Sequence, residues 1–367
     1  MSKPANDFPI RLNNPRAWRT YLGGSQLDAL HGKQDGEDGH FPEEWIMSVV
    51  AARNVGREDF PDEGMSFLAD EPSLSLKALL EGNAAYYLGT AHAQKSGASL
   101  GVLLKLIDSA ERLTLQVHPD REKAMALFSS PFGKTECWHI LGGHEVNGEK
   151  PCIYFGFKEG VTRESWKHLF DTQDIHGMLD AMQKFYVQPG DTVLIEGGMP
   201  HAIGAGCFLA EIQEPTDFTI RVERTTPSGF HVDDFLCHQG LGFDRMCEAF
   251  HYESLTPEEI RRRWFIKPRT VTEDASGSIS TLIGYDTTDF FRLDELCVSG
   301  ALEVPAAEAF SGLYVLDGGG ALSAGGKSCR LEKTAQFFVP AATGTMTLCA
   351  DPGAPLRVLH FFGPREA

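Results

Sequence analysis

The segment at residues 113–120 reads LTLQVHPD, and it sets the first expectation for the fold. Apolar and polar residues alternate, which predicts a strand with one apolar face and with Gln116 and His118 together on the other face. Pro119 ends the predicted strand. This pattern raises the question of why a strand of a packed protein should carry an amide and an imidazole side by side on one face.

Short alternating segments of this kind recur along the chain, among them CIYFGF, DTVLIE, CFLAEIQ and GLYVLD. With 38 glycines and 20 prolines between them, they predict a mainly β protein built as a sandwich or barrel. Residues 162–185 have apolar residues near helical spacing and predict a small helical insert. Thr256 and Glu259 form a capping-box pattern that predicts a helix. We therefore expect a domain at residues 1–255 with a helical insert near 162–185, and a second β domain at residues 256–367.

The composition limits the class of function. The 367 residues are 42% hydrophobic and carry a formal net charge of −18, which disfavours binding to nucleic acid or to an anionic membrane. There is no apolar run long enough to span a bilayer, and the first ten residues lack the apolar core of a signal peptide. The eight cysteines show no CxxC spacing. A cytoplasmic protein with reduced thiols is the expectation.

Two later segments add polar side chains to strand faces. In GKTECWHIL, residues 133–141, Lys134 and Glu136 share a face. His201 follows a glycine turn after an apolar strand. Two imidazoles, a carboxylate and an amide oxygen suit zinc, iron, manganese or cobalt. Taken singly, a His or Gln on a strand is more often an ordinary hydrogen-bonded or exposed side chain than a metal ligand.

Taken together, LLKLIDSAERLTLQVHPD, GKTECWHIL and PHAIGAGCFLAEIQEPTDFTIRV resemble the type I phosphomannose isomerases of the cupin superfamily, over roughly residues 12–225. NNPRAWRTYLGG and EEWIMSV are weaker matches. The resemblance implies two jelly-roll β-barrels, the second without metal. It also implies one Zn²⁺ per chain, held by Gln116, His118, Glu136 and His201. The short stretch between Glu136 and His201 is similar to the short bacterial form.

The resemblance further implies an enzyme that interconverts mannose 6-phosphate and fructose 6-phosphate through an enediol(ate). Arg221, Lys134 and Lys105 are the expected cations for the sugar phosphate. The general base stays open, with Glu211, Asp217 and Lys134 as the candidates.

The sequence departs from the family at AWRTYLGG, which lacks the usual Trp-Gly pair, at EEWIMSV, and at PTDFTIRVER. These departures affect the expected substrate preference more than the metal site. Two alternatives therefore stay open: a non-catalytic cupin that binds a sugar phosphate, and a cupin enzyme acting on another sugar or on oxygen. The sequence leaves the oligomeric state undetermined.

Overall fold

The structure, a computed structural model, describes residues 7–366; residues 1–6 and 367, at the ends of the two predicted domains, lie outside the described residues. In chain order, the strands are β1 (Ile10–Leu12), β2 (Arg16–Ala17), β3 (Glu43–Ile46), β4 (Phe67–Leu68), β5 (Glu71–Ser75), β6 (Leu103–Asp108), β7 (Gln116–Val117), β8 (Glu136–Gly143), β9 (Cys152–Phe157), β10 (Met182–Tyr186), β11 (Thr192–Ile195), β12 (His201–Ile203), β13 (Cys207–Gln213), β14 (Ile220–Arg221), β15 (Phe265–Ile266), β16 (Arg269–Asp274), β17 (Gly277–Ile283), β18 (Arg292–Val298), β19 (Ala301–Val304), β20 (Ser311–Asp317), β21 (Gly320–Ala324), β22 (Lys327–Leu331), β23 (Gln336–Val339), β24 (Met346–Ala350) and β25 (Leu356–Phe362).

The helices are short and lie mostly between the strands of the first half. They are α1 (Ser25–Leu30), α2 (Leu76–Gly82), α3 (Ala84–Leu88), α4 (Thr90–Ser96), α5 (Arg121–Phe128), α6 (Arg163–Thr172), α7 (Ile175–Asp180), α8 (Asp234–His238) and α9 (Pro257–Trp264), with one 3₁₀ turn at Met246–Ala249. None of the helices in residues 7–366 combines the length and hydrophobicity that crossing a bilayer requires.

The strands form four antiparallel sheets. The first half contributes a seven-stranded sheet, β15-β11-β8-β13-β6-β3-β2, and a five-stranded sheet, β10-β9-β12-β7-β14. The second half contributes a nine-stranded sheet, β16-β17-β18-β25-β20-β23-β1-β4-β5, and a four-stranded sheet, β19-β24-β21-β22. The mainly β fold class predicted from the short alternating segments is confirmed.

The nine-stranded sheet includes strands from the beginning of the chain. β1 pairs with β23, with Ile10 opposite Phe338, and β4 and β5 extend the sheet beyond β1. The first 75 residues therefore contribute to the sheet that the C-terminal residues build. The division of the chain into two domains at residue 256 stays a prediction. In any such division, β1, β4 and β5 from the first domain lie in the sheet of the second.

Two segments differ in detail from their predicted structure. Only Gln116 and Val117 of LTLQVHPD are a strand, and both faces of residues 113–118 are buried, because β7 lies between β12 and β14 inside the protein. In the predicted helical insert, α6 and α7 are followed by a strand from Met182, which pairs with β9. The capping box of Thr256 and Glu259 is present at the start of α9.

Candidate metal centre and substrate pocket

The predicted metal ligands converge from the two sheets of the first half. Glu136 begins β8 in the seven-stranded sheet, while Gln116 in β7 and His201 in β12 lie directly opposite each other in the five-stranded sheet. His118 follows β7. One ligand atom each from His118, Glu136 and His201 lies within 4.8 Å of the others, and all three residues are buried.

The backbone orients both imidazoles toward Glu136. His118 Nδ1 lies 2.8 Å from the carbonyl oxygen of Phe218, and His201 Nδ1 lies 2.9 Å from that of Met199. A carbonyl accepts only, so each Nδ1 carries the hydrogen and each Nε2 keeps its lone pair. The Nε2 atoms lie 3.2 Å and 3.6 Å from the Glu136 carboxylate oxygens. Burial lowers the pKa of His118 to about 3 and also lowers the pKa of His201, so both rings are neutral ligands at pH 7.

Glu136 is a buried carboxylate that lacks hydrogen-bond donors. Within the described residues neither of its side-chain oxygens accepts a well-directed hydrogen bond. Lys134 Nζ lies 3.0 Å from Glu136 Oε2 and 2.9 Å from His118 Nε2. Burial opposes ionisation, but the charge of Lys134 has the largest lowering effect, and the pKa of Glu136 lies well below its ordinary value. The ammonium of Lys134 thus supplies positive charge between the donors, where a metal ion would supply it.

The amide of Gln116 completes the group of predicted ligands. Its Nε2 lies 3.3 Å from His201 Nε2, and rotation of the amide by half a turn would direct Oε1 there instead. With two imidazole nitrogens, a carboxylate and an amide oxygen, the donors fit a divalent metal with a preference for nitrogen and oxygen ligands.

A polar pocket lies beside these donors, lined by Gln116 and Lys134 and by the other predicted catalytic and substrate residues, Lys105, Glu211, Asp217 and Arg221. Lys105 Nζ lies 3.2 Å from Glu211 Oε1, and the Trp138 indole nitrogen donates to Glu211 Oε2 at 3.0 Å. Burial, followed by the charge of Glu136, raises the pKa of Glu211. Glu211 is therefore the carboxyl group of this pocket that most readily keeps a proton.

Asp217 and Arg221 stand on the loop and strand that follow β13. Asp217 is bound by Arg19 through two contacts of 3.2 Å. Burial alone would raise the pKa of Asp217, but the charges of Arg19 and Lys105, the backbone N–H of Arg53 and the charge of Lys134 together lower it. Arg221 donates to the carbonyl oxygens of Thr219 and Leu236, at 3.2 and 2.9 Å. Its described partners include no carboxylate within ion-pair distance.

Sequence reasoning missed part of the pocket wall. Arg19, Tyr21 and Glu43 also line the pocket. Glu43 accepts hydrogen bonds from the Tyr21 hydroxyl at 2.9 Å and from the Trp45 indole at 2.8 Å. These residues lie in AWRTYLGG and EEWIMSV, the segments with weaker family resemblance. The weak family resemblance was the signal that could have identified these residues. The sequence did not show that EEWIMSV lies beside Lys105, because that position results from the pairing of β3 with β6.

Comparisons with known proteins agree on one family. A family model described as the cupin domain of mannose-6-phosphate isomerase matches residues 282–351. The chain is 27% identical over 258 residues to a probable mannose-6-phosphate isomerase, GmuF, of Bacillus subtilis, covering 69% of this chain and 73% of that protein. It is 24% identical over 250 residues to the mannose-6-phosphate isomerase of Streptococcus mutans, covering 65% and 68%.

Solved structures show the same fold over the whole chain. The crystal structure of the mannose 6-phosphate isomerase from Bacillus subtilis matches with a TM-score of 0.73 and 22% identity, covering 96% of this chain and 99% of that one. A putative mannosephosphate isomerase from Archaeoglobus fulgidus matches with a TM-score of 0.72 and 19% identity, covering 99% and 100%.

The fold and the buried donors define a cupin protein with a candidate metal centre. Within that class, the chain is similar in sequence and in fold to the mannose-6-phosphate isomerases, which are enzymes, and this similarity supports the type I phosphomannose isomerase family. The family resemblance of the sequence motifs is confirmed by the sequence relatives and by the fold.

Proposed function

We propose that this protein is a zinc-dependent aldose–ketose isomerase that interconverts mannose 6-phosphate and fructose 6-phosphate through an enediol(ate). The observation that carries the proposal is the buried group of His118, Glu136 and His201 beside a pocket lined by cations. The choice of sugar phosphate rests on the relatives, which are mannose-6-phosphate isomerases. The side chains described above have charges and donors that suit such a substrate.

The proposed ligands are Gln116, His118, Glu136 and His201. Zinc is the preferred metal because neutral imidazoles with one carboxylate are typical of zinc sites that keep a position for substrate or water. When bound, zinc would polarise the substrate carbonyl and stabilise negative charge on its oxygen. Lys134 would then no longer be needed to neutralise Glu136, and its ammonium would be available to a sugar oxygen.

The charge of the site suits a dianion. Four cationic side chains stand against four carboxylates, namely Arg19, Lys105, Lys134 and Arg221 against Glu43, Glu136, Glu211 and Asp217. With every carboxylate ionised this set is neutral, so a divalent metal would leave a charge of about +2. A phosphate dianion neutralises that charge inside a protein whose overall charge is −18.

We assign the first contact with the phosphate to Arg221. Lys105, Lys134 and Arg19 are each committed to a carboxylate at 3.2 Å or less. The described hydrogen bonds of Arg221 go only to backbone carbonyls. A guanidinium with donors to spare binds phosphate oxygens in pairs.

We assign proton transfer between the two sugar carbons to Glu211. Its pKa is raised, and a catalytic carboxyl group works best when its pKa approaches the working pH. Asp217 has a lowered pKa and an arginine partner, which suits binding a sugar hydroxyl. Lys134 remains the alternative base.

The test is a coupled assay for fructose 6-phosphate formed from mannose 6-phosphate. The protein is assayed as purified, after treatment with a chelator, and after zinc is restored. We expect activity that disappears on chelation and returns with zinc. His201→Ala should abolish both bound zinc and turnover, while His144→Ala, on an exposed loop, should change neither.

The alternatives give different results in the same experiment. Zinc bound without turnover, but with binding of the sugar phosphate, would favour a non-catalytic binding protein. Turnover of another sugar would redirect the substrate assignment, and oxygen consumption would favour an oxygenase. The cytoplasmic location also belongs to this proposal: all eight cysteines are free thiols, as a reducing compartment would keep them.

A further inference from the structure

Arg19 occupies an unusual position for a charged residue. It is 4% exposed and comes from the segment that follows β2. Its Nε lies 2.9 Å from Glu43 Oε1, and its two terminal nitrogens each lie 3.2 Å from an oxygen of Asp217. Its guanidinium also stacks over the Trp45 ring at 5.0 Å. Each of the three side-chain nitrogens therefore has a carboxylate partner, and Arg19 and Asp217 both line the pocket.

The ion pair of Arg19 and Asp217 forms part of the wall of a narrow pocket. Both residues line it, and the volume open to the centre of a water molecule is about 30 Å³. That volume has room for about two water molecules. A hexose phosphate does not fit, so at least one lining side chain has to move before the sugar can enter.

Arg19 is the side chain best able to move in exchange for a ligand. Asp217 is additionally held by the backbone N–H of Arg53 at 2.9 Å, whereas the edge of Arg19 that faces Asp217 makes a fork that fits carboxylate and phosphate equally well. Glu43 would retain the Nε of Arg19 during the exchange. A neutral sugar hydroxyl offers no comparable partner for a buried guanidinium.

We propose that Arg19 selects phosphorylated sugars, by exchanging its paired contact with Asp217 for one with the substrate phosphate. The proposal rests on the proposed function and deepens it. It adds a residue that opens the pocket for a dianion and keeps it closed to the unphosphorylated sugar. The exchange also releases Asp217 to accept a hydrogen bond from a sugar hydroxyl.

The location of Arg221 supports a phosphate at this point. Both arginines line the same pocket together with Asp217. The charge of Arg19 lowers the pKa of Arg221, the charge of Asp217 raises it, and burial has the largest lowering effect. Asp217 is ion-paired with Arg19 alone, but its charge also acts on Arg221 in the same pocket. A phosphate dianion has the charge and the three oxygens needed to take over from that carboxylate.

The test compares phosphorylated and unphosphorylated ligands on the zinc-loaded protein. Calorimetry measures the binding of inorganic phosphate, and steady-state kinetics measure kcat/KM for mannose 6-phosphate and for mannose. In Arg19→Lys and Arg19→Gln we expect phosphate binding to weaken about ten- to hundredfold, as for loss of a charge-assisted contact. The kcat/KM for mannose 6-phosphate should fall by a similar factor, while that for mannose stays level or rises.

A matched control and two contrary outcomes define the test. Arg330 makes a paired contact with Asp351 on the exposed surface, so Arg330→Lys and Arg330→Gln should alter none of these quantities. A parallel fall for both sugars would mean that Arg19 only maintains the pocket. Unchanged phosphate binding would remove Arg19 from substrate selection.

A crystal structure of the wild-type protein with mannose 6-phosphate bound keeps the proposal testable if the variants do not fold. Arg19 should then contact phosphate oxygens, and persistence of the Arg19–Asp217 pair beside the bound sugar phosphate would overturn the inference. Its failure is distinguishable from failure of the proposed function. Wild-type turnover without an effect at Arg19 refutes the inference alone. Absence of turnover with Arg19-dependent phosphate binding refutes the isomerase assignment alone.

Discussion

Replacing Lys134 by methionine should destabilise the protein only when the metal is absent. Lys134 Nζ lies 3.0 Å from the buried Glu136 carboxylate, which accepts no well-directed hydrogen bond within the described residues. Lys134→Met keeps most of the side-chain volume and removes the charge. Removing one partner of a buried ion pair costs about 3–5 kcal/mol. With zinc bound, the metal neutralises Glu136, and the expected cost falls below about 1 kcal/mol.

The assay is thermal unfolding with chelator and with zinc. An entropy of unfolding of about 2.1 cal/mol/K per residue gives about 0.8 kcal/mol/K for 367 residues. Each kcal/mol then shifts Tm by about 1.3 °C, so Lys134→Met should lower Tm by about 4–6 °C in chelator and by about 1 °C or less in zinc. Lys167→Met, which breaks an exposed pair with Asp171, is the control and should shift neither value. Equal shifts in the two buffers, or none in chelator, would refute the view that Lys134 and the metal supply the same counter-charge.

Three further predictions concern the ligand amide, the proton-transfer group and the second half of the chain. Gln116→Ala should weaken zinc binding by about tenfold or more, measured by competition with a chelating dye; unchanged affinity would exclude the amide as a ligand. Glu211→Gln should lower kcat about 10²- to 10⁴-fold with zinc content intact; retained kcat would direct attention to Lys134 as the base. Burial lowers the pKa of His360 to about 3 from an ordinary value of 6.5, so the unfolded chain takes up this proton first, and the stability present at neutral pH is lost as pH falls from 6.5 toward 3. Protonation of this single group in the unfolded chain lowers the free energy of unfolding by up to about 2 kcal/mol between pH 7 and pH 5. In His360→Gln the urea concentration at the unfolding midpoint should therefore depend less on pH over that range. An unchanged pH dependence would contradict the neutral, buried state of His360.

The candidate metal donors could be predicted from the sequence because each lies in a short, local motif. Gln116 and His118 are two residues apart, and Lys134 and Glu136 repeat that spacing, so alternation along a strand suffices to put each pair on one side. The resemblance to phosphomannose isomerases then joined the motifs into one site. The structure brings all four predicted donors together, as well as Lys105, Glu211 and Asp217.

The local pattern was less informative about the strand itself. Alternation in LTLQVHPD predicted a longer strand with one apolar face, but hydrogen bonding to β12 and β14 is limited to Gln116 and Val117. The buried polar face could not be distinguished from a solvent-facing one by sequence, because both are made of polar residues. In the structure Gln116 and His118 are both buried, so contact with solvent does not account for their polarity.

The sequence by itself indicated the mainly β character, the candidate donor residues and the resemblance to phosphomannose isomerases, because strand alternation and motif spacing are local properties of the chain. Only the tertiary structure brought Arg19 to Asp217, 198 residues away. That contact depends on β2 pairing with β3, and on β3 pairing with β6 beside Lys105. It also brought β1 against β23, joining the two ends of the chain in one sheet. Strand pairings between distant segments are fixed by the packing of the whole protein, and no local pattern specifies them.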